Sequence, residues 1–307
     1  MSDLQAVSQM MERPGLDTPD IFTGRTRLAG VVGWPVMHSR SPRLHNHWIA
    51  RYGIDGAYVP LAVQPGFLGI ALRGLLYSGF AGVNLTIPHK EAALALCDEY
   101  DDIAARAGAA NTLTFTDDGR IFGSNTDGEG FTNNLIAAGV DLHAGPALLL
   151  GAGGSSRAIA AALLASGIDV SVTNRTEARA QALAEQLPGV NVIPWDRRED
   201  ALPDHALLVN TTSVGLSGGN ASDPEDGVPG SPIELDRAPA SMVVNDIVYV
   251  PLQTRLLADA AARGLRTVDG LGMLLYQARP GFTAWFGVEP EIDSVLRDRI
   301  AADIPKT

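Results

Sequence analysis

The reading of the fold turns on Pro146-Ala147-Leu148-Leu149-Leu150-Gly151-Ala152-Gly153-Gly154-Ser155-Ser156-Arg157-Ala158. An apolar run of strand length ends at a glycine, turns through two more and opens onto small residues at helical spacing. A dinucleotide phosphate site needs this order. Gly151 permits the tight turn, Gly153 lets backbone approach a pyrophosphate, and amides at the start of the helix hold the phosphates. Ala152, Gly154 and Ser155 complete the cradle. Ser156 stands at the third glycine position of G-x-G-x-x-G, with Ala158 nearby, so the turn alone also fits a strand that simply packs into a helix.

Working outward, the next apolar run closes at Thr173 and is followed by Asn174-Arg175-Thr176. A site for NAD usually has a carboxylate here for the ribose 2′-hydroxyl. Instead Arg175 offers a planar cationic fork suited to a 2′-phosphate, which favours NADP over NAD. The bland alternatives are a helix cap at Thr176 and a solvated surface charge at Arg175.

From residue 28 onward, short β-rich runs alternate with helical patterns. Strands are expected over 28–33, 57–62, 81–85, 147–150, 170–173, 190–193, 207–210, 242–247 and 266–268. Helices are expected to begin near Pro42, Pro65, Pro88, Gly128, Ser155, Thr176, Leu252, Gly272 and Pro290. This order predicts an α/β protein with parallel sheets covered by helices on both faces. Two independent starts of the pattern, near 28 and near 147, predict two α/β domains. A chain of 307 residues with 46% hydrophobic content can supply both cores.

The 35 acidic residues outnumber 23 Lys and Arg, for a net charge of −12. That argues against a nucleic-acid binder or a binder of anionic membranes, since each needs a broad basic field. It leaves room for an anionic small molecule held by a local site. Glycine is abundant, 33 residues or about 11% against a typical ~7%. The lone Cys97 argues against a disulfide framework and a multi-cysteine metal site, and no metal is expected. No run approaches ~18 apolar residues, so no membrane span is expected. Residues 1–24 are polar, carry Glu12, Asp17 and Asp20, and lack the apolar core of a signal peptide, so they are expected to form an extension on a cytoplasmic protein. Residues 216–232, rich in Gly, Ser, Asp and Pro, are expected to be a surface loop.

Three polar clusters in the first half fall at element ends, where α/β proteins place ligands. In Gly33-Trp34-Pro35-Val36-Met37-His38-Ser39-Arg40-Ser41-Pro42-Arg43-Leu44-His45-Asn46, two hydroxyls precede a Pro-initiated helix. Ser41 reads equally as an N-cap and as part of a carboxylate site at a helix N-terminus. In Asn84-Leu85-Thr86-Ile87-Pro88-His89-Lys90-Glu91, Asn84 and Thr86 share a face at a strand's end. Lys90 then falls in the first turn of the next helix, where the helix dipole disfavours a cation. The alternative is a surface lysine paired with a nearby acid. Asn111-Thr112 and Asn125-Thr126-Asp127-Gly128-Glu129-Gly130 form the third cluster. Thr126-x-x-Glu129 fits a capping box, which leaves Asn125 and Asp127 unexplained.

These pieces together resemble the bacterial, NADP-dependent shikimate dehydrogenase family. The likeness continues through Asn210-Thr211-Thr212-Ser213-Val214-Gly215, Asp246-Ile247-Val248-Tyr249-Val250-Pro251-Leu252-Gln253-Thr254 and Gly270-Leu271-Gly272-Met273-Leu274-Leu275-Tyr276-Gln277-Ala278, and spans about residues 30 to 287. It implies two α/β domains: 25–126 plus 270–307 for substrate, with a mainly parallel sheet, and 127–269 as a Rossmann-type NADP domain. It also implies reversible NADPH-dependent reduction of 3-dehydroshikimate to shikimate, on the route to chorismate and the aromatic amino acids, by a monomer or homodimer. By motif position, Ser39 and Ser41 would hold the substrate carboxylate. Asn84, Thr86, Asn111, Asp127 and Gln277 would bond the ring hydroxyls, and Tyr249 would reach the substrate. Lys90 and Asp127 would be the catalytic pair. Gly151, Ala152, Gly153, Gly154 and Ser155 would take the pyrophosphate, and Asn174, Arg175 and Thr176 the 2′-phosphate. Thr212, Ser213, Gly270 and Met273 would lie along the cofactor.

The chain departs from the family's pattern at Ser124, where Asp is frequent, and at Ala109-Ala110-Asn111, where Ala-Val-Asn is usual. Arg279-Pro280-Gly281 replaces small helical residues and leaves open how the closing helix ends. Rival readings are a quinate/shikimate dehydrogenase using NAD or both cofactors, a non-catalytic NADPH-binding module, and a metal enzyme built on histidines. Retention of Lys90 with Asp127 argues against the second. His45 and His47, two apart on one helix, would not face one ligand.

Overall fold

A computed structural model describes residues 22–216 and 230–304. Most of the expected extension over 1–24 and of the expected loop over 216–232 lies outside the described residues.

Two six-stranded sheets organise the molecule. The first contains β1 (Arg27–Gly33), β2 (Gly56–Ala62), β3 (Phe80–Leu85), β4 (Glu99–Tyr100), β5 (Thr112–Phe115) and β6 (Ile121–Ser124), in the order β2-β1-β3-β5-β6-β4. Helices α1 (Ser41–Arg51), α2 (Leu68–Tyr77), α3 (Lys90–Leu94) and α4 (Asp102–Ala107) belong to this half. The second sheet contains β7 (Ala147–Leu150), β8 (Val170–Thr173), β9 (Val190–Val192), β10 (Leu207–Asn210), β11 (Val243–Asp246) and β12 (Arg266–Val268). Its order is β12-β11-β10-β7-β8-β9, and every pairing is parallel. This is the doubly wound order, in which the strand order reverses between β7 and β10, the place where such sheets bind ligands.

Local sequence explains the second sheet well. All four residues of β7 are buried, as expected for a central strand covered on both faces. Ala147 and Leu149 point into one core with Ile159 and Leu163 of α6 (Gly154–Ala165) and with Ala180 and Leu183 of α7 (Glu177–Gln186). Leu148 and Leu150 point the other way, toward Leu256 and Leu257 of α8 (Arg255–Ala262). A strand's period of two thus divides one apolar run between two cores.

The first sheet is mainly parallel, as expected, with β1–β2, β1–β3 and β4–β6 all parallel, but it includes one reversed strand. It is mixed: β5 runs antiparallel to both β3 and β6. The β5–β6 hairpin needs only the short turn through Asp117-Asp118-Gly119, with Gly119 at φ +81°. An antiparallel return requires no crossover helix, which is why the βαβ rhythm read from the sequence passed over it.

Two long helices join the halves. α5 (Asp127–Ala137) starts beside the first sheet and sends Phe131 and Leu135 into the second sheet's core. α9 (Leu271–Phe286) starts beside the second sheet and sends Leu275, Phe282 and Trp285 into the first, where α10 (Ser294–Ala301) also packs. They meet where a Cβ on Gly130 would lie 2.6 Å from the Gln277 Cβ, so glycine sets how close the helices come. Pro280 does not end α9, which runs on to Gly287 in the left-handed region. An interior proline forfeits one helix hydrogen bond, but buried Ala278, Phe282 and Trp285 hold the helix on either side of it.

Among the described residues, no helix is long and apolar enough to cross a membrane.

Candidate active site

The site begins where β3 ends. After Leu85 the chain turns, with the Thr86 carbonyl accepting from the His89 amide at 2.9 Å. Buried His89 braces the turn, its Nε2 lying 2.7 Å from the Val63 carbonyl. Lys90 is therefore delivered as the first residue of α3, and Asp127 as the first residue of α5. Lys90 Nζ donates to Asp127 Oδ2 at 2.6 Å. Their side chains are 27% and 7% exposed, so Lys90 is the more accessible partner of a largely buried pair.

Asp127 is fixed from behind. Its amide donates to Asn125 Oδ1 at 3.1 Å, and Asn125 Nδ2 donates to the Ala109 carbonyl at 2.9 Å. Its second oxygen accepts from Asn111 Nδ2 at 2.7 Å. The Asn111 Oδ1 accepts from the Thr126 amide at 2.9 Å and the Thr112 hydroxyl at 3.0 Å. Asn84 Nδ2 donates to Thr112 Oγ1 at 3.0 Å. Gln277 enters from α9, its Oε1 3.4 Å from Asn111 Nδ2 and its carbonyl accepting from the Thr126 hydroxyl at 2.8 Å. Four predicted residues from three elements and one loop, Asn84, Asn111, Asp127 and Gln277, thus share one buried network with Lys90 at its mouth.

Thr126 corrects one expectation. It occupies the N-cap position of α5 but makes no side-chain cap bond. Its φ and ψ, −97° and 0°, are helical and turn the hydroxyl away from the first-turn amides toward Gln277. Ser41 corrects another. It is the first residue of α1 rather than its N-cap, which is Arg40, and no side-chain cap is made. Ser39 Oγ instead accepts from the Ser41 amide at 3.3 Å. The two serines reach the network through Tyr58 of β2, whose phenol donates to Asn84 Oδ1 at 2.7 Å. Burial pushes the Tyr58 phenol well above its usual pKa, and its hydrogen bond with Ser41 opposes that rise. Tyr249 completes this edge, its ring centroid 5.7 Å from the Arg40 guanidinium carbon. Thr86 lies half-buried at the end of β3.

The glycine cradle is made mostly of backbone. Gly151 has φ +107°, and a Cβ there would lie 2.7 Å from Thr211 Oγ1. Ala152 is buried beside it, whereas a Cβ on Gly153 or Gly154 would meet nothing within 4 Å. No side chain caps α6, which Gly154 and Ser155 open. Uncapped first-turn amides facing open space are what a bound pyrophosphate needs, so these residues fit a dinucleotide. The Gly151 amide donates to the Thr173 carbonyl at 2.8 Å, which sets Asn174-Arg175-Thr176 beside the cradle. Thr176 takes the N-cap position of α7 but, like Thr126, makes no side-chain cap bond. Arg175 is exposed. Thr212 and Ser213 follow β10 on the cradle's other side, and Gly270 and Met273 sit at the start of α9.

Comparisons with known proteins identify the family. A model described as shikimate dehydrogenase substrate binding domain matches residues 31–113, and one described as shikimate / quinate 5-dehydrogenase matches residues 135–216. A shikimate dehydrogenase (NADP(+)) from Acidiphilium cryptum is 57% identical, over 92% of this chain and 99% of its own. The chain belongs to the shikimate dehydrogenase family. Among solved structures, shikimate 5-dehydrogenase from Thermus thermophilus, in complex with NADP(H) and shikimate, aligns with a TM-score of 0.80 and 39% identity, covering 91% of this chain and 100% of its own. Quinate dehydrogenase from Corynebacterium glutamicum, in complex with NAD, aligns at 0.81 and 30%, covering 90% and 99%.

Within this family member, several residues of the site escaped the sequence reading. Tyr58 looked like any strand aromatic. Arg40 was passed over between two serines. Thr112 and Thr126 stand in the third polar cluster, but the sequence does not show the partners of their hydroxyls, which lie on other elements. Asp246 had a legible signal, a carboxylate closing the strand after the apolar Met242-Val243-Val244, but no visible partner. His45, weighed only against a metal site, is fully buried and stacks on Tyr58 with ring centroids 3.9 Å apart. Burial lowers its pKa to about 3, which keeps the ring neutral.

Proposed function

We propose that this chain is an NADP-dependent oxidoreductase that interconverts 3-dehydroshikimate and shikimate on the route to the aromatic amino acids. The observation that carries the reading is the Lys90–Asp127 pair, closed at 2.6 Å and backed by Asn111, across the cleft from an uncapped glycine cradle. The cofactor, when bound, supplies the hydride to the ring ketone. Negative charge then develops on the ketone oxygen, and the Lys90 ammonium stabilises it and gives it a proton. Asp127 holds that ammonium in place and accepts from a ring hydroxyl. Asn84, Thr86, Asn111 and Gln277 present amide and hydroxyl groups to the other ring hydroxyls, and Tyr249 reaches the substrate. Ser39 and Ser41, at the start of α1, hold the substrate carboxylate.

On the cofactor side, Gly151, Ala152, Gly153, Gly154 and Ser155 take the pyrophosphate, and Asn174, Arg175 and Thr176 the 2′-phosphate. Thr212, Ser213, Gly270 and Met273 line the path to the nicotinamide. This assigns 25–126 with 270–307 to substrate and 127–269 to the cofactor, with hinge closure of the two over both ligands as part of the proposal.

Steady-state assays with shikimate and quinate, each with NADP and NAD, test the reading. The expected result is a kcat/KM highest for shikimate with NADP. A preference for quinate with NAD would favour the second reading, which rests on the likeness to the Corynebacterium enzyme. No turnover with any pair would overturn both.

A further inference from the structure

Asp246 ends β11 and is completely buried, yet among the described residues no cation pairs with it. Its three partners are neutral donors from three places in the chain. Asn210 Nδ2, at the end of β10, donates to Oδ1 at 2.9 Å, and the Val248 amide donates to the same oxygen at 3.0 Å. The Thr254 hydroxyl, at the N-cap of α8, donates to Oδ2 at 2.7 Å. Burial raises the Asp246 pKa to about 6 even against those three bonds. A carboxylate buried without a cation is costly, and such groups are found where their bonds serve a specific arrangement.

What those bonds hold is two loops. Asn210, with its amide nitrogen fixed by Asp246, uses its oxygen to accept from the Thr212 amide at 3.0 Å and the Thr212 hydroxyl at 2.7 Å. Its nitrogen also donates to the Val214 carbonyl at 3.1 Å. Thr212 borders the glycine cradle, where a Cβ on Gly151 would lie 3.1 Å from its methyl group. On the other side, Val248 and Thr254 bracket the turn that carries Tyr249. Tyr249 and Leu252 of that turn pack on the core of the first sheet, and the Tyr249 ring lies under Arg40, between the two serines.

We propose that Asp246 is a positioning residue that, by accepting these three hydrogen bonds, sets the cofactor-side loop at Thr212 and the substrate-side turn at Tyr249 in register with each other. This rests on the functional reading above for the roles of Thr212 and Tyr249. The carboxylate touches neither ligand. It acts through Asn210 toward the cofactor and through the Val248–Thr254 turn toward the serine loop.

The test compares Asp246→Ala, which removes every acceptor, with Asp246→Asn, which keeps Oδ1 for Asn210 and Val248 and can donate to Thr254. Direct NADPH titration by fluorescence and the KM for shikimate are the readouts, alongside thermal melting. Asp246→Ala is expected to weaken NADPH binding tenfold or more and to raise the shikimate KM at least fivefold, and Asp246→Asn to restore both to within about threefold. A residue that serves only folding would lower the melting temperature and leave both constants in place. Asp246→Ala values within twofold of the unmodified chain overturn the proposal, as do equal losses in Ala and Asn. If Asp246→Ala does not fold, Thr254→Val decides, because it removes one donor of three. A several-fold weaker NADPH titration supports the coupling, and an unchanged one overturns it. The NADPH titration needs no turnover, so an unmodified chain that binds NADPH but leaves shikimate unchanged would defeat the functional reading and still decide the role of Asp246 toward the cofactor loop.

Discussion

In the proposed reading, the Lys90–Asp127 wall and the glycine-cradle wall solve the problem of binding an anionic, hydroxylated ligand in opposite ways. The substrate wall is made of side chains: a lysine, a carboxylate and three amides, cross-bonded and mostly buried before any ligand arrives. The cradle wall is made of what side chains would obstruct, with open space over Gly153 and Gly154 and no cap on α6. The difference follows from what each must recognise. A ring with several hydroxyls needs directional partners at fixed positions, and a preorganised network provides them without reorganisation at the moment of reaction. A pyrophosphate needs diffuse positive potential and close approach, which backbone amides provide and any Cβ hinders. Substitutions should therefore fail differently on the two walls.

The largest effect belongs to the side-chain wall. Lys90→Met keeps the length of the side chain and removes the ammonium paired with Asp127. The expected outcome is a loss of kcat of about 10²–10⁴-fold, the usual range for a general acid, with the shikimate KM changed only a few-fold. Stopped-flow or steady-state assay of NADPH consumption measures it. A kcat near that of the unmodified chain removes Lys90 from the chemistry.

On the backbone wall, Gly151→Ala adds a single methyl group. At φ +107° an L side chain is strained, and here the new atom also meets Thr211 Oγ1. A strained backbone of this kind costs about 1–3 kcal/mol. The expected outcome is a roughly tenfold or larger rise in the NADPH KM, with the shikimate KM at saturating NADPH little changed. Equal loss for both ligands would mean that the two walls are not separable as described.

Arg175→Asp is the one side-chain test on the cradle wall. Hydrogen bonds to charged groups are worth about 1.5–3 kcal/mol, but Arg175 is exposed, so screening places the effect at the low end. NADPH binding is expected to weaken about tenfold while NADH binding stays within about threefold. Parallel fluorescence titrations check it, and equal losses for both cofactors remove Arg175 from 2′-phosphate recognition.

The same contrast decides what was legible in the sequence. The cradle could be read because its chemistry is local: Gly151, Gly153 and Gly154 sit in one turn between β7 and α6, and the all-parallel order followed from the apolar runs around it. The substrate wall could be read only as separate clusters, because its meaning lies in partners far apart in the chain. Asn111 and Gln277 are 166 residues apart, and nothing between them announces that α9 returns. The family likeness joined them before the geometry did. Where a local signal existed but competed with another, it lost. Asp118-Gly119 between two short runs is a hairpin signal, yet each run is only four residues long, too short to stand out beside the βαβ rhythm around it.

Thr126-x-x-Glu129 sharpens that lesson with the smallest expected effect. A working capping box would make both residues matter to the helix by about 1 kcal/mol each. In the structure Thr126 spends its hydroxyl on the Gln277 carbonyl, and Glu129 is exposed. Glu129→Ala is therefore expected to change stability by less than about 0.5 kcal/mol, as for an ordinary surface position. Thr126→Val, by contrast, removes the buried hydroxyl that joins the Gln277 carbonyl to the Asn111 amide, a cost of about 1–3 kcal/mol. It should also raise the shikimate KM, because Gln277 and Asn111 then lose their common partner. Urea denaturation of the two variants measures the difference. Matched losses of about 1 kcal/mol, with the KM unmoved, would restore the local reading of this motif and detach Thr126 from the substrate wall.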